Sequence, residues 1–212
     1  EIELEAEQFL IATGLRPREL SVPGSERFLN SNEFLELRDV PRRLVCIGGG
    51  YISFEFAHLA RIAGAEVTMV LRSTALKQFE QELVAVLLEA TEALGIHIIH
   101  ETEVVSYEDT TLALSNGTNV QADVVLNATG RVASIDSLDL NKAGVIFEDK
   151  GIRVNDYLQS SAPNIYAAGD VAVSGNPALT PFAGTEGRLA ACNMLEGNTR
   201  TLELLPVPSI VF

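Results

Sequence analysis

Three small residues, Gly48, Gly50 and Ser53, stand at the spacing G-x-G-x-x-G directly after the apolar run Arg43 to Ile47 (RLVCI). In a strand-turn-helix context this spacing serves phosphate binding. The first glycine permits the tight turn and the second lets a pyrophosphate approach the backbone. The third position must be small so that helix and strand can pack closely, and Ser53 meets that condition. Tyr51 and Ile52, between the second and third positions, complete the stretch. Free N–H groups and the dipole at the helix start attract the phosphates.

Coenzyme choice is read further along. About 20 residues after the first glycine, an NAD site places an Asp or Glu at the end of the next strand to bind the ribose hydroxyls. That point is Leu71, which offers no carboxylate, and the following loop carries Arg72 and Lys77. These two cations suit a 2′-phosphate, so the loop favours NADP over NAD.

Around the glycine turn the pattern alternates. Strands are expected at 43–47, 66–71 and 96–100, and helices at 51–63 and 81–94. In the second helix Leu83, Leu87, Ala90 and Leu94 form the apolar face. Short strands follow near 103–108, 111–115 and 118–121, the last two joined across Asn116-Gly117, and 123–127 closes the region. The implied class is α/β: a doubly wound, Rossmann-like nucleotide-binding domain, helices on both faces of a parallel sheet, with a β-hairpin excursion.

The flanks share a pattern. LIATG (Leu10 to Gly14) and LNATG (Leu126 to Gly130) each run a strand into Ala-Thr-Gly, marking crossing points between domains, with Gly130 at the second. The expected division is residues 1–39 and 131–205 as two segments of a second, partial domain, 40–130 as the nucleotide domain, and 206–212 as the start of another. Glu1, Glu3, Glu5 and Glu7 alternate with apolar residues as the solvated face of a strand. Both ends read as cut, leaving apolar edges near Phe9 and Val211 that favour self-association.

Composition narrows the classes. Across 212 residues, 15 Lys and Arg against 29 Asp and Glu give a net charge of −14, which repels nucleic acid. The longest apolar helical run, Leu83 to Leu88, is far short of the roughly 20 residues of a membrane span. Cys46 and Cys192 stand far apart without a leader sequence, which suits a reducing, cytoplasmic setting. Metal binding is not expected: His97 and His100, three apart on a strand, point to opposite faces, and His58 has no partner one helical turn away. No Ser stands in a G-x-S-x-G turn.

Taken in order, FLIATGLRP (Phe9 to Pro17), LVCIGGGYISFEFA (Leu44 to Ala57), NATGR (Asn127 to Arg131), IYAAGDVA (Ile165 to Ala172), LTPFAGTEGR (Leu179 to Arg188) and LPVPSIVF (Leu205 to Phe212) resemble the flavin-dependent pyridine nucleotide-disulfide oxidoreductases, which include glutathione reductase. The resemblance implies that Asp170 binds ribityl hydroxyls of FAD and that Gly169 lets that cofactor lie close. It makes Tyr51 an aromatic gate over the flavin, displaced by the nicotinamide. Glu55 becomes an acid near the flavin that pairs with a Lys of the other domain, so Tyr51 and Glu55 are the candidate catalytic residues. Thr180 and Pro181 lie beside the flavin ring.

The departures are equally specific. The family's redox cysteine pair, its N-terminal FAD glycine motif, the Lys partner of Glu55 and the C-terminal interface domain with its catalytic His are missing. Cys46 and Cys192 read as small buried residues. The chain is therefore expected to be part of a parent homodimer that reduces a small disulfide, glutathione disulfide being the preferred substrate. By itself it is expected to bind NADPH, carry no FAD and turn over no disulfide. The competing expectations are an NAD-linked dihydrolipoamide dehydrogenase, a mercuric reductase-like enzyme, or a non-catalytic dinucleotide-binding module.

Overall fold

The computed structural model describes residues 3–204 and 208–211. The chain opens with β1 (Phe9–Ile11), β2 (Leu15–Pro17) and α1 (Ser31–Leu35). Next come β3 (Arg43–Ile47), α2 (Tyr51–Ile62), β4 (Glu66–Val70), α3 (Gln81–Ala93) and β5 (His97–Ile99). Four short strands follow: β6 (Val104–Glu108), β7 (Thr111–Leu114), β8 (Asn119–Gln121) and β9 (Val124–Asn127). The remainder holds β10 (Arg131–Ala133), β11 (Phe147–Glu148), β12 (Gly151–Arg153), β13 (Ile165–Ala167), β14 (Ala172–Val173) and α4 (Thr180–Glu196).

Two compact units result. One is Pro17–Gly130 with Ser209–Phe212, and the other is Glu1–Arg16 with Arg131–Pro208. Two of the boundaries between these units lie at 16/17 and 130/131, where the sequence reading draws its own at 39/40 and 130/131. Long-range contacts draw residues 17–39 onto the nucleotide unit. The Arg27 guanidinium donates to the Tyr107 carbonyl at 2.6 Å and lies 4.3 Å from the centre of the Tyr107 ring, while the Leu29 N–H donates to the Val125 carbonyl at 2.9 Å. Such pairings, 80 to 96 positions apart, leave no local trace in the sequence.

In the Pro17–Gly130 unit the sheet order is β5-β4-β3-β9, and every pairing is parallel. Strand alternation sorts the core. Leu44, Cys46, Val67 and Met69 pack with Phe54, Ala57 and Val84 of the helices. Val45, Ile47 and Val70 face the other way, against Tyr107, Leu112 and Leu114. The Rossmann-like reading holds, with one change: the second face is covered by the antiparallel meander β6-β7-β8, not by helices. The short, β-branched segments after β5 are long enough to cover that face as a sheet.

The terminal expectations change too. Glu1 and residues 206, 207 and 212, on which part of the expectations for the two ends falls, lie outside the described residues. Residues 3–8 form no strand, because pairing begins only where Phe9 meets Ile165. Val211 is no open edge, since it packs against the core of the nucleotide unit.

Helix α3 forms where its periodicity places it, but its face is turned. Val84 and Thr91 are its buried residues, whereas Leu83 is 70% exposed. The turn follows from a polar contact: His58 Nε2 lies 2.8 Å from Thr91 Oγ1, which itself donates to the Leu87 carbonyl at 2.7 Å. With the threonine proton committed, His58 must donate from Nε2. Burial pushes the His58 imidazole below its ordinary 6.5, partly offset by the charge of Glu55. The unfolded chain therefore takes up the proton first, so stability is lost as pH falls below 6.5 towards the folded value. Thermal melts are expected to show this acid-side loss in the wild type and a smaller one in His58→Gln; parallel pH curves would contradict it.

Candidate dinucleotide site

Gly48 follows the last residue of β3, and Gly50 is the N-cap of α2. Gly48 has φ +120°, and a Cβ there would stand 2.3 Å from the Ala128 carbonyl oxygen at the end of β9. The first glycine is thus required by backbone conformation and by the close approach of a neighbouring strand. At Gly50 an added Cβ would meet nothing within 4 Å, so the space above the turn is open. Among the described residues the Tyr51 and Ile52 amides reach no carbonyl, and the first turn of α2 contains no acid. Open space, free donors and a 12-residue helix dipole make a site that fits a diphosphate.

The other candidate residues of the nucleotide site lie on α2 and on the segments that follow β4 and β9. The Leu76 N–H donates to the Gly49 carbonyl at 2.8 Å, tying the loop that carries Lys77 to the glycine turn. Leu71 is fully buried in the core, so the first exposed side chain after β4 is Arg72, itself 78% exposed. Arg72 Nε stands 3.7 Å from Glu103 Oε1, a loose surface pair that the sequence does not announce. Gly130, with φ +130°, ends this unit and accepts from the Arg18 N–H at 3.0 Å. Tyr51 is 44% exposed on the first turn of α2, and Glu55 is half-buried one turn further on.

Ser53 is wholly buried, and its Oγ has no hydrogen-bond partner among the described residues. An unsatisfied buried hydroxyl costs about 1 to 3 kcal/mol. Ser53→Ala should accordingly raise the stability of this unit by about 1 kcal/mol, read as an upward shift of the denaturant midpoint. A downward shift would show that the hydroxyl has a partner in solution. Cys46 is fully buried and burial pushes its thiol up, which leaves it inert; Cys192 is only partly buried on α4.

Four of the flavin-associated candidates, Gly169, Asp170, Thr180 and Pro181, lie in the other unit, whereas Tyr51 and Glu55 lie in the nucleotide unit. Gly169 and Asp170 open a short 3-10 turn after β13, and Thr180 and Pro181 begin α4. An added Cβ on Gly169 would stand 3.2 Å from that of Ala183, so helix and turn are in contact. Glu186, one turn beyond Ala183, is 2% exposed and accepts three hydrogen bonds. They come from the Gly169 N–H at 2.8 Å, the Ser174 hydroxyl at 2.5 Å and Asn176 Nδ2 at 3.1 Å. Sequence reading missed Glu186, because its partners stand 10 to 17 positions away in an irregular loop. The half-buried Asp170 next to this clamp, together with the exposed start of α4, fits a polyhydroxyl chain beside a ring.

The family model for pyridine nucleotide-disulphide oxidoreductases matches residues 1–187. The chain belongs to that family. Glutathione reductase of Nostoc sp. is 36% identical over all of this chain and 50% of its own length. Mercuric reductase of Staphylococcus aureus is also 36% identical, over 99% of this chain and 40% of its own. Among solved structures, the HOCl-induced flavoprotein disulfide reductase RclA from Escherichia coli superposes with a TM-score of 0.83 at 26% identity, over 94% of this chain and 47% of that one. The chain thus spans about half the length of the relatives it matches. Among the described residues no helix is long and apolar enough to cross a membrane, and no group of three or more His, Cys, Asp or Glu could hold a metal ion.

Proposed function

We propose that this chain is the NADPH-binding portion, with part of the FAD site, of a flavin-dependent disulfide reductase whose small substrate is glutathione disulfide. When bound, the flavin supplies the relay between hydride and disulfide chemistry. The chain's own residues have more limited tasks. The Tyr51 and Ile52 amides hold the diphosphate, Gly50 gives it room, and Arg72 with Lys77 faces the 2′-phosphate. Tyr51 is the aromatic gate that lies over the flavin until the nicotinamide displaces it, and Glu55, one turn along the same helix, is the acid near the flavin. Asp170, Gly169, Thr180 and Pro181 form the flavin half-site. By itself the chain is expected to bind the reduced coenzyme but not to turn over disulfide.

The observation that carries the NADPH reading is the buried Leu71 followed by the exposed Arg72. No carboxylate stands at the end of β4 to claim the ribose hydroxyls, while a cation does stand there. Glu103 competes for that cation, which gives the test two signs. In titrations of coenzyme fluorescence, free of Trp signal because the chain has none, Arg72→Ala should weaken NADPH about tenfold and leave NADH unchanged. Glu103→Gln should tighten NADPH. Equal effects on both coenzymes would overturn the choice of NADPH and leave the glycine turn as an NAD site.

A further inference from the structure

A cleft of about 840 Å³ runs from the amino ends of β3 and β4 along the edge strand β5 to His100, within the range of roughly 300 to 1,000 Å³ typical of small-molecule sites. Arg43 and Glu66, the first residues of β3 and β4, and Gly95, just before β5, stand on its wall. The glycine turn is at the other end of β3, on the order of 15 Å away along a five-residue strand. The two sites do not share residues.

Arg61, His97 and His100 line the cleft in a chain of net charge −14, and among the described lining residues Glu66 is the one carboxylate, 4.0 Å from Arg42. Arg43 is already committed to Asp123 through Nη2 and Nε. Arg61 is different. Its Nε donates to the Leu94 carbonyl at 2.9 Å and Nη1 to the Ala65 carbonyl at 3.2 Å, which fixes the guanidinium, while Nη2 has no partner among the described residues. Gly95 makes room for it: a Cβ there would fall 2.7 Å from Nη2. The His97 and His100 imidazoles form no hydrogen bond or ion pair among the described residues, although the His100 carbonyl accepts from the Thr102 hydroxyl at 2.7 Å. Both histidines line the cleft, His97 as the first residue of β5 and His100 just beyond its end. Ile99 and Val120 add apolar wall, and the exposed Asn119 adds an amide.

We infer that this cleft is a second ligand site, for a small organic anion whose carboxylate or phosphate head meets Arg61 and whose apolar body lies against Ile99 and Val120, with His97 and His100 lining the same cleft. A guanidinium held by two carbonyls meets an anion with little loss of conformational freedom.

The test uses the chain saturated with NADPH and follows its three histidines by imidazole proton–carbon NMR at fixed pH. Phenyl phosphate and benzoate are titrated separately, with inorganic phosphate as the head alone. His97 and His100 should shift along saturable curves with at least one of the two organic probes, while His58, in the α2–α3 seam, stays still. Whichever probe binds more tightly identifies the head group. Inorganic phosphate should bind about tenfold more weakly than phenyl phosphate. Arg61→Lys, and Asn119→Asp as an exposed variant that spares the helix ends, should each weaken the binding probe about tenfold. Unsaturable drift with both organic probes, equal movement of all three histidines, inorganic phosphate as tight as phenyl phosphate, or unchanged affinity in Asn119→Asp would overturn the site. The dinucleotide reading fails separately, if NADPH itself does not bind.

Discussion

Gly48→Ala should destabilise the nucleotide unit by about 3 kcal/mol or more and abolish coenzyme binding at concentrations that saturate the wild type. Two independent costs act at this residue. Its φ of +120° lies where a side chain is rarely tolerated, and the new Cβ would fall 2.3 Å from one backbone atom, the Ala128 oxygen, and 2.8 Å from another, the Ala128 carbon. Neither belongs to a flexible side chain that could swing away. Relief requires β3 and β9 to separate, and these are hydrogen-bonded neighbours, β3 inside the sheet and β9 at its edge. Chemical denaturation followed by circular dichroism gives the stability change, and NADPH titration of the folded fraction gives the binding change. A variant that melts like wild type and still binds would show that the turn relaxes without cost. Gly50→Ala is the contrasting case: with nothing within 4 Å, it should keep wild-type stability and lose affinity through crowding of the diphosphate alone.

Glu186→Ala carries the second large effect, in the other unit. Removing the carboxylate strands the Gly169 N–H, the Ser174 hydroxyl and Asn176 Nδ2, which it serves together while 2% exposed. Hydrogen bonds to a charged acceptor contribute about 1.5 to 3 kcal/mol each, and a buried orphaned donor adds its own desolvation cost, so a loss of about 3 to 5 kcal/mol is expected. Glu186→Gln retains an acceptor oxygen and should lose less. The site-specific reading is amide hydrogen exchange: protection at Gly169 should collapse in the alanine variant and survive in part in the glutamine variant. Equal protection in all three would mean that α4 does not hold the turn presenting Asp170.

These two residues also show how far the sequence could be read. The glycine turn was legible because its logic is local: the RLVCI strand, the three glycines and the helix start are contiguous, and the requirement for a small third residue is met by Ser53. Glu186 was not legible, because on its helix it looks like any acid before a Gly-Arg pair, and its donors come from a loop without periodicity. Helix α3 shows a different limit. Apolar residues lie on several of its sides, so spacing alone favoured the Leu83 face, and the contact between Thr91 and His58 sets the rotation instead. The meander after β5 was read correctly as strands, but nothing in it says which face of the parallel sheet it will cover. The placement of residues 17–39 rests on Arg27 and Leu29 meeting partners that are distant in the chain.

Chemical-shift mapping of backbone amides during an NADPH titration tests the central claim most directly. Gly50, Tyr51 and Ile52 should show the largest saturable changes, with Arg72 and Lys77 moving for NADPH and hardly at all for NADH. If the amides around Gly50 remain still while others shift, or if no amide saturates at millimolar coenzyme, the glycine turn is not a dinucleotide site and the functional assignment fails.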